Sequence, residues 1–435
     1  MRYPLIETKR LYLTKIKKED IHDLARLLSD PDVMRYSVKG TCSLEKTESI
    51  VNNMIREEEE HEVSVCSAFE KATGKWIGIV GLSWEDNEAT VLYRFFKDYW
   101  NKGYASEALD GFLKKACEVF ANFQAYAYIE KKNIASLKVA QKVGMKLQKE
   151  TVFHNKPVLL YKFLDEIFIK EAVESDKDNI LLYLKPFVKY SLFLVGNLKE
   201  KDFSYYYMAI KDSKIIGVAA YFPVFKSFSL FSEDAKVAEK LTTVISKKHD
   251  IKALLGISKA AKPSYEKLIS LDYKPVEDPE NLFMELDLNK FTPFEIEEAN
   301  IKIVDEKDID QVAFLHRYLN NKNPSESKIT KEEREKIRLS KIKYCLKVGD
   351  TVVSTAMSNG AFLNTFQILG VVTHPDYRGK GFAKAVCSCL IKDVKDKYGA
   401  KHAIIFTGKE NIIAKRCYEL LGFKVTDEYY LAIFI

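Results

Sequence analysis

The chain carries one glycine-bearing turn twice, in a single register. Arg378-Gly379-Lys380-Gly381-Phe382-Ala383 near one end corresponds to Trp100-Asn101-Lys102-Gly103-Tyr104-Ala105 near the other. Gly381 and Gly103, Ala383 and Ala105, Asn411 and Asn133, and Gly422 and Gly144 are each 278 positions apart. Four matches at one offset mark an internal repeat, which constrains the architecture more than any local pattern does. At 435 residues the chain has room for two to four domains of ordinary size.

Each copy reads as strand, helix, hairpin, long strand, turn, helix, strand, helix, strand. In the first, residues 11–13 predict a short strand, and Asp20 caps a helix whose apolar positions Ile21, Leu24, Leu27 and Leu28 follow the helical period. Residues 75–81 and 90–96 read as strands, the second running straight into the turn. Residues 106–120 form a helix with Ala108, Leu109, Phe112, Leu113, Ala116 and Val119 on one face. A strand over 125–129 and a helix over 135–143, stopped by Gly144, complete the copy. The last copy repeats the order: strand 367–373, helix 384–398, strand 402–407, helix 412–421 stopped by Gly422, and strand 429–435 closing the sheet.

The middle of the chain keeps the rhythm and lacks the turn. Asp176 opens a helix, residues 214–219 and 228–231 read as strands, and Ser232-Glu233-Asp234 follows where the glycines should stand. The expected domains are therefore 1–164, a degenerate unit at 165–290, and 291–435. The linkers near Asp165 and Phe291-Thr292-Pro293 are poor in Gly and Ser, so packed domains are expected.

Composition narrows the partners. A net charge of +6, from 68 basic and 62 acidic residues, suits an anionic small molecule and lacks the concentrated basic footprint of a nucleic-acid binder. No window approaches ~20 consecutive apolar residues, so no membrane span is expected. Residues 1–8 lack an apolar signal core, and the seven scattered cysteines contain no C-x-x-C pair. A cytoplasmic protein with reduced thiols and no metal centre follows as the expectation, with Cys387 and Cys389 read as small core residues. Glu57 to Glu60 read as a solvated helix face, and Tyr205 to Tyr207 as sheet packing.

A strand ending in a glycine turn that starts a helix offers unpaired amides, and the helix dipole, to an anion. Glycine permits positive φ and close approach to a phosphate oxygen, while Arg378 and Lys380 can add charge-assisted contacts. The P-loop pattern G-x-x-x-x-G-K-[S/T] is missing. The dinucleotide pattern G-x-G-x-x-G fails at Lys384, which stands where its third glycine belongs.

Val371 to Ala383 resembles motif A of the GCN5-related N-acetyltransferases (GNAT), whose loop runs R/Q-x-x-G-x-G/A, and Asn411 through Tyr418 to Gly422-Phe423 looks like that family's motif B. The first copy, with Glu7-Thr8-Lys9-Arg10-Leu11 and the run from Tyr99 to Leu109, is similar to the ribosomal-protein-alanine acetyltransferase branch. Residues 165–435 look like a tandem acetyltransferase with a degenerate first half. The resemblance implies an α/β (α+β GNAT) fold: a mixed, largely antiparallel sheet, splayed at the cofactor strand, flanked by helices and repeated two to three times. It also implies acyl transfer from acetyl-CoA to an amine.

Carried over, backbone groups of Tyr93 and Phe95, and of Val371 and Thr373, bind the pantetheine arm. The amides of Trp100, Asn101, Lys102, Gly103, Tyr104 and Ala105, and of Arg378, Gly379, Lys380, Gly381, Phe382 and Ala383, hold the pyrophosphate. Asn133 and Asn411 match the cofactor-contacting asparagine. Tyr418 matches the general acid that protonates the departing thiolate.

Two departures stand out. Ala140 occupies the Tyr418 position in the first copy, leaving Ser136 to interact with the thiolate, and Trp100 replaces the usual Arg or Gln. Thr90 stands where the branch often has a glutamate base, which leaves Glu85, Asp86, Glu88 or solvent. His374 reads as structural or cofactor-proximal. A module that senses acyl-CoA without turnover, or a transferase for longer acyl chains like the glycine N-acyltransferases, are the rival readings. The acceptor, a small amine or a protein N-terminus, and the oligomeric state are not encoded in any motif.

Overall fold

The computed structural model describes residues 5–85, 88–120, 122–199, 205–277, 279–297, 299–320 and 327–435. The chain divides into two compact units, 1–168 and 169–435.

The first unit is built on one eight-stranded sheet. Its strands are β1 (Ile6–Glu7), β2 (Leu11–Lys15), β3 (Val65–Glu70), β4 (Trp76–Glu85), β5 (Glu88–Phe95), β6 (Gln124–Glu130), β7 (Lys146–Phe153) and β8 (Lys156–Leu164). Sheet order follows the sequence except that β8 lies between β6 and β7. Helices α1 (Ile21–Leu28) and α2 (Leu44–His61) cover one face, while α3 (Tyr104–Val119) and α4 (Ile134–Lys142) cover the other. Alternation along β5 decides which core each residue joins. Val91, Tyr93 and Phe95 pack with α3 and α4, whereas Leu92 and Phe96 pack with α1 and α2.

Asp20 is buried ahead of α1, but its carboxylate does not cap that helix. It accepts from the Lys17 N–H and the Ser67 hydroxyl, both at 2.9 Å, and so closes the turn that aims the helix. Asp176 repeats the device ahead of the next such helix by accepting from the Val173 N–H at 2.9 Å. In the acidic run of α2, Glu59 and Glu60 are solvated as expected. Glu57 and Glu58 instead turn inward to hold the Ser64 hydroxyl and amide.

The second unit contains a ten-stranded and a four-stranded sheet. Its strands are β9 (Phe168–Glu171), β10 (Tyr206–Lys211), β11 (Lys214–Phe222), β12 (Ser227–Ser232), β13 (Ala253–Ile257), β14 (Glu280–Asp287) and β15 (Asn300–Ile303), then β16 (Ile342–Val348), β17 (Thr351–Ser358), β18 (Ala361–Phe362), β19 (Thr365–Gln367), β20 (Leu369–Thr373), β21 (His402–Gly408) and β22 (Lys424–Ile433). Its helices are α5 (Lys177–Leu184), α6 (Leu192–Lys199), α7 (Ala235–Lys248), α8 (Ser258–Ser270), α9 (Ile309–Asn320), α10 (Lys331–Leu339), α11 (Phe382–Tyr398) and α12 (Ile412–Leu420). In the middle, the segment lacking glycine starts α7 through Asp234, whose side chain accepts from the Lys236 N–H.

The two halves of this unit exchange strands. β14 follows α8 in the middle of the chain, yet all but its first residue pairs with β21 of the last copy, from Asn281↔Gly408 to Asp287↔His402. β22 follows α12 and pairs with β13 of the middle, from Ala253↔Ile433 to Ile257↔Tyr429. β14 and β22 also pair with each other. The final strand therefore begins at Lys424 and lies in the interior of the sheet, and the sheet runs across position 290. Among the described residues no helix is long and apolar enough to cross a membrane.

Candidate active site

Each loop-bearing copy opens a gap between two parallel strands. In the first unit β5 and β6 meet at one pair, Thr90↔Tyr126, and β5 then diverges toward the turn. In the second, the strand expected over 367–373 is broken. β19 stays beside β21, from Thr365↔His402 to Gln367↔Ile404, while β20 leaves to pair with β17. The break lies at Ile368, whose N–H still donates to the Ile404 carbonyl of β21; just beyond it Gly370 sits at a bulge of β20 with φ +61°, and an added Cβ there would stand 2.7 Å from Cε1 of His316. Only glycine satisfies both the dihedral and the contact.

At the open end of each gap the chain turns into a helix with the same backbone. Asn101 and Gly103 have φ of +57° and +81°; Gly379 and Gly381 both have +78°. The first side chain of the turn braces it in both copies. The Trp100 Nε1–H donates to the Phe95 carbonyl at 2.7 Å, and the Arg378 Nε–H donates to the Thr373 carbonyl at 3.2 Å. Among the described residues, the amides of 101–104 and 379–382 donate to no backbone carbonyl, as the first turn of a helix requires.

The surroundings differ. Arg10 donates to the Lys102 carbonyl at 2.9 Å and to Glu107 on α3 at 2.7 Å, and Thr8 donates to the same carboxylate. The Thr8–Arg10 segment thus fastens the first turn. Phe294 occupies the comparable side of the second turn, 3.5 Å from where a Gly381 Cβ would be, with Lys384 Nζ 3.5 Å over its ring.

Asn133 and Asn411 are both helix N-caps. Their side-chain oxygens accept from the Ser136 N–H at 3.2 Å and the Ala414 N–H at 3.1 Å. His374 likewise caps its own turn, with Nδ1 accepting the Asp376 N–H at 3.4 Å.

Tyr418 is 5% exposed, in the core shared with Phe423 and Cys387, and Val371 packs against that core. Burial, with Cys387 and Cys417 nearby, holds its phenol well above the ordinary tyrosine range. In the first unit the two positions trade sizes. Ala140 is 1% exposed where Tyr418 would stand, and Tyr93 occupies the strand position held by Val371. The Tyr93 hydroxyl donates to the Ser136 carbonyl on α4, one turn from Ala140, at 3.4 Å, and burial pushes its pKa up to about 12. Each copy therefore buries one protonated phenol: Tyr93 reaches from the splayed strand to α4, and Tyr418 stands on α12 in the core against which Val371 packs. Sequence reading assigned Tyr93 only its backbone; the exchange is visible as a large-for-small swap at two positions of one register.

On the opposite face of the gap, Glu85 is exposed, Asp86 lies outside the described residues, and Glu88 accepts from the Tyr128 hydroxyl at 2.6 Å. The last copy contributes a group that was missed, His316. Thr355 Oγ1 donates to the Gly370 carbonyl at 2.9 Å, so the 3.2 Å contact between Thr355 Oγ1 and His316 Nε2 carries the histidine's proton. Among the described residues no donor reaches Nδ1. Burial lowers the His316 pKa to about 4, which keeps the ring neutral. Its signal lay in the pattern Ile309, Val312, Ala313, His316, which puts a histidine on the apolar stripe of α9.

Comparison with known proteins follows the same division. A family model described as "Acetyltransferase (GNAT) domain" matches residues 10–146, and one described as "Acetyltransferase (GNAT) family" matches residues 312–423. The chain is 34% identical over 160 residues to the uncharacterized protein YkkB of Bacillus subtilis, covering 36% of this chain and 92% of that protein. It is 26% identical over 147 residues to the uncharacterized N-acetyltransferase p20 of Bacillus licheniformis, covering 33% and 82%. A GNAT acetyltransferase structure from Bacillus anthracis aligns with TM-score 0.33 and 24% identity, over 37% of this chain and 97% of that one. A GCN5-related N-acetyltransferase structure from Sphaerobacter thermophilus aligns with TM-score 0.43 and 14% identity, over 62% and 95%.

Proposed function

The chain belongs to the GNAT acetyltransferase superfamily, and on that premise we propose that both loop-bearing copies transfer an acetyl group from acetyl-CoA to the primary amine of an acceptor. One observation carries this reading. A parallel strand pair opens toward a turn whose amides have no backbone partner, and it does so twice.

Residues 101–104 and 379–382 present those amides to the pyrophosphate, with the helix dipole behind them. Backbone of β5 at Tyr93 and Phe95, and of β20 at Val371 and Thr373, lines the gap for the pantetheine arm, with the Phe95 and Thr373 carbonyls already held by Trp100 and Arg378. The side-chain nitrogens of Asn133 and Asn411 face that arm once their oxygens are committed to the caps. Bound acetyl-CoA supplies the activated acyl group.

Proton handling belongs to the chain. A phenol held protonated by burial is poised to give its proton to a departing thiolate. Tyr418 plays that part in the last copy. In the first copy Tyr93 takes it over, with Ser136 beside it, because Ala140 provides no hydroxyl. Nδ1 of His316 is the acceptor-side group in the last copy. Glu88, held by Tyr128, is the carboxylate nearest Thr90 along the first. A non-catalytic first copy is the reading Ala140 favours, and Tyr93 is the observation against it.

Calorimetric titration of the full chain with acetyl-CoA, beside Gly103→Asp and Gly381→Asp, tests the proposal. Both positions have positive φ, so either substitution strains its own turn. Two sites, each lost with its own variant, are expected. One site, lost only with Gly381→Asp, would make the first copy a scaffold. No binding at all would overturn the reading. Competition among acyl-CoAs of different length decides the donor.

A further inference from the structure

Arg94 is a half-buried cation of the first unit with no carboxylate partner among the described residues. It stands on β5 opposite Ile79 of β4. Strand alternation sends it with Thr90 and Leu92 to the face covered by α1 and α2, away from Tyr93. That face is lined by Leu27, Met34, Cys42 and Met54, all buried and apolar. The guanidinium is largely withdrawn from water there, and burial lowers its pKa. Among the described residues its one polar partner is Ser37 Oγ, at 3.4 Å.

Five N–H donors with a single long hydrogen bond make an expensive arrangement. A charge half withdrawn from water without a partner carries part of the penalty seen when one half of a buried ion pair is removed. Two other cations withdrawn from water are paired: buried Lys347 lies 2.6 Å from Asp308, and half-buried Arg317 lies 2.7 Å from Glu333.

The position of Arg94 is as informative as its isolation. Thr90, where β5 is paired with β6, matches Ile368 in the 278 register, the point where the other copy splits its strand. Arg94 lies four residues farther on, roughly 13 Å along an extended chain. It faces the side of the gap opposite the phenol. The last copy has buried Val372 at this register, so the charge is peculiar to the first.

We infer that Arg94 is the anion-binding group of the first unit's acceptor pocket, and that this unit acts on amines carrying a carboxylate or phosphate a few bonds from the nitrogen. The inference rests on the reading of the strand gap as the site of transfer. Arg94's fork of donors suits either anion, which would lift the desolvation cost when the acceptor enters.

The test uses the full chain and has two arms. In the first, thermal unfolding is followed at constant ionic strength with acetate or inorganic phosphate replacing chloride. The wild type should gain about 2–4 °C in the transition of the first unit, an effect of about one kcal/mol scale in a domain this size. Arg94→Met should start from a higher midpoint in chloride and show no response, and Arg94→Lys should keep part of it. An unchanged response in Arg94→Met, or in Arg94→Gln should the methionine variant fail to fold, overturns the anion site. In the second arm, initial rates are compared for alanine against alaninamide and for phosphoethanolamine against ethanolamine. At least a tenfold preference for the anionic member of one pair is expected, lost in Arg94→Met with acetyl-CoA affinity intact. If Arg94→Met weakens acetyl-CoA binding and leaves the amine preference alone, the anion is a phosphate of the donor and the acceptor claim falls. Failure of the wild type to bind acetyl-CoA would sink the transferase reading alone, since the thermal arm does not depend on it.

Discussion

Trp100 donates its indole N–H to the backbone carbonyl of Phe95 at 2.7 Å. The same carbonyl position in the other copy, Thr373, receives the Nε–H of Arg378. Two unlike side chains thus close one turn, because each places an N–H at the reach the turn needs. The exchange of Arg for Trp removes a charge without loosening the loop.

Trp100→Phe keeps the ring and deletes the donor. A single hydrogen bond of this kind is worth about 1 kcal/mol, so acetyl-CoA should bind the first site about five-fold more weakly. Trp100→Arg restores a donor and adds a charge, and affinity should equal or exceed the wild type. Calorimetry in a Gly381→Asp background isolates the site. Equal affinities for the Phe variant and the wild type would show that the brace does not shape the loop.

The two phenols should behave alike despite sitting on different elements. Tyr418→Phe should lower turnover at the last site by 10²–10⁴-fold, roughly the range of general-acid catalysis, and Tyr93→Phe should do the same at the first. Donor affinity should stay within about two-fold in both. Steady-state rates in the two Gly→Asp backgrounds give the comparison, and full turnover in Tyr93→Phe would return the first copy to a binding role.

His316 makes stability depend on acidity. Its folded pKa is about 4, below the value of about 6.5 expected of an unfolded histidine. The fold prefers the neutral ring, so the contribution is fully present above pH ~6.5 and is lost as the pH falls toward ~4. Up to about 3 kcal/mol disappears across that window. Urea midpoints at pH 7.5, 6, 5 and 4.5 should fall less steeply in His316→Gln. Parallel slopes would mean that the ring is not held neutral.

Asp308 is 1% exposed and pairs with Lys347 at 2.6 Å and Lys302 at 3.1 Å. Burial alone would raise its pKa, but the two ammonium groups prevail and hold it below the ordinary range. Asp308→Asn strands the buried Lys347 and should cost about 3–5 kcal/mol. Adding Lys347→Met should recover much of that loss in denaturant titrations. No recovery would place the cost elsewhere.

The exchange of β14 and β22 predicts that the last copy cannot be excised. A chain of residues 292–435 lacks Glu280–Asp287, which pairs with both His402–Gly408 and Lys424–Ile433. Two unpaired edges should drive aggregation. Gel filtration should show no monomer, and heating no cooperative transition. A monomeric, sharply melting fragment would mean that the last copy rebuilds its sheet alone.

What the sequence determined by itself is local. The 278 register, the positive-φ turn positions, the amphipathic helices and the stops at Gly144 and Gly422 all follow from short-range sterics and apolar period, which neighbouring residues express directly. In the middle of the chain the helix after Asp176 and the strands at 214–219 and 228–231 were legible as rhythm. Tertiary structure decided the rest. Nothing in residues 280–287 says that they complete a sheet begun more than a hundred residues later, because strand pairing at that distance leaves no local trace. Val371 and Tyr93 look interchangeable as strand formers until α4 and α12 show which of them must bring a hydroxyl. His316 and Arg94 read as one polar residue among apolar ones. Only the packed fold puts the first against Gly370, where its proton is spoken for, and leaves the second half-buried with no counter-charge among the described residues.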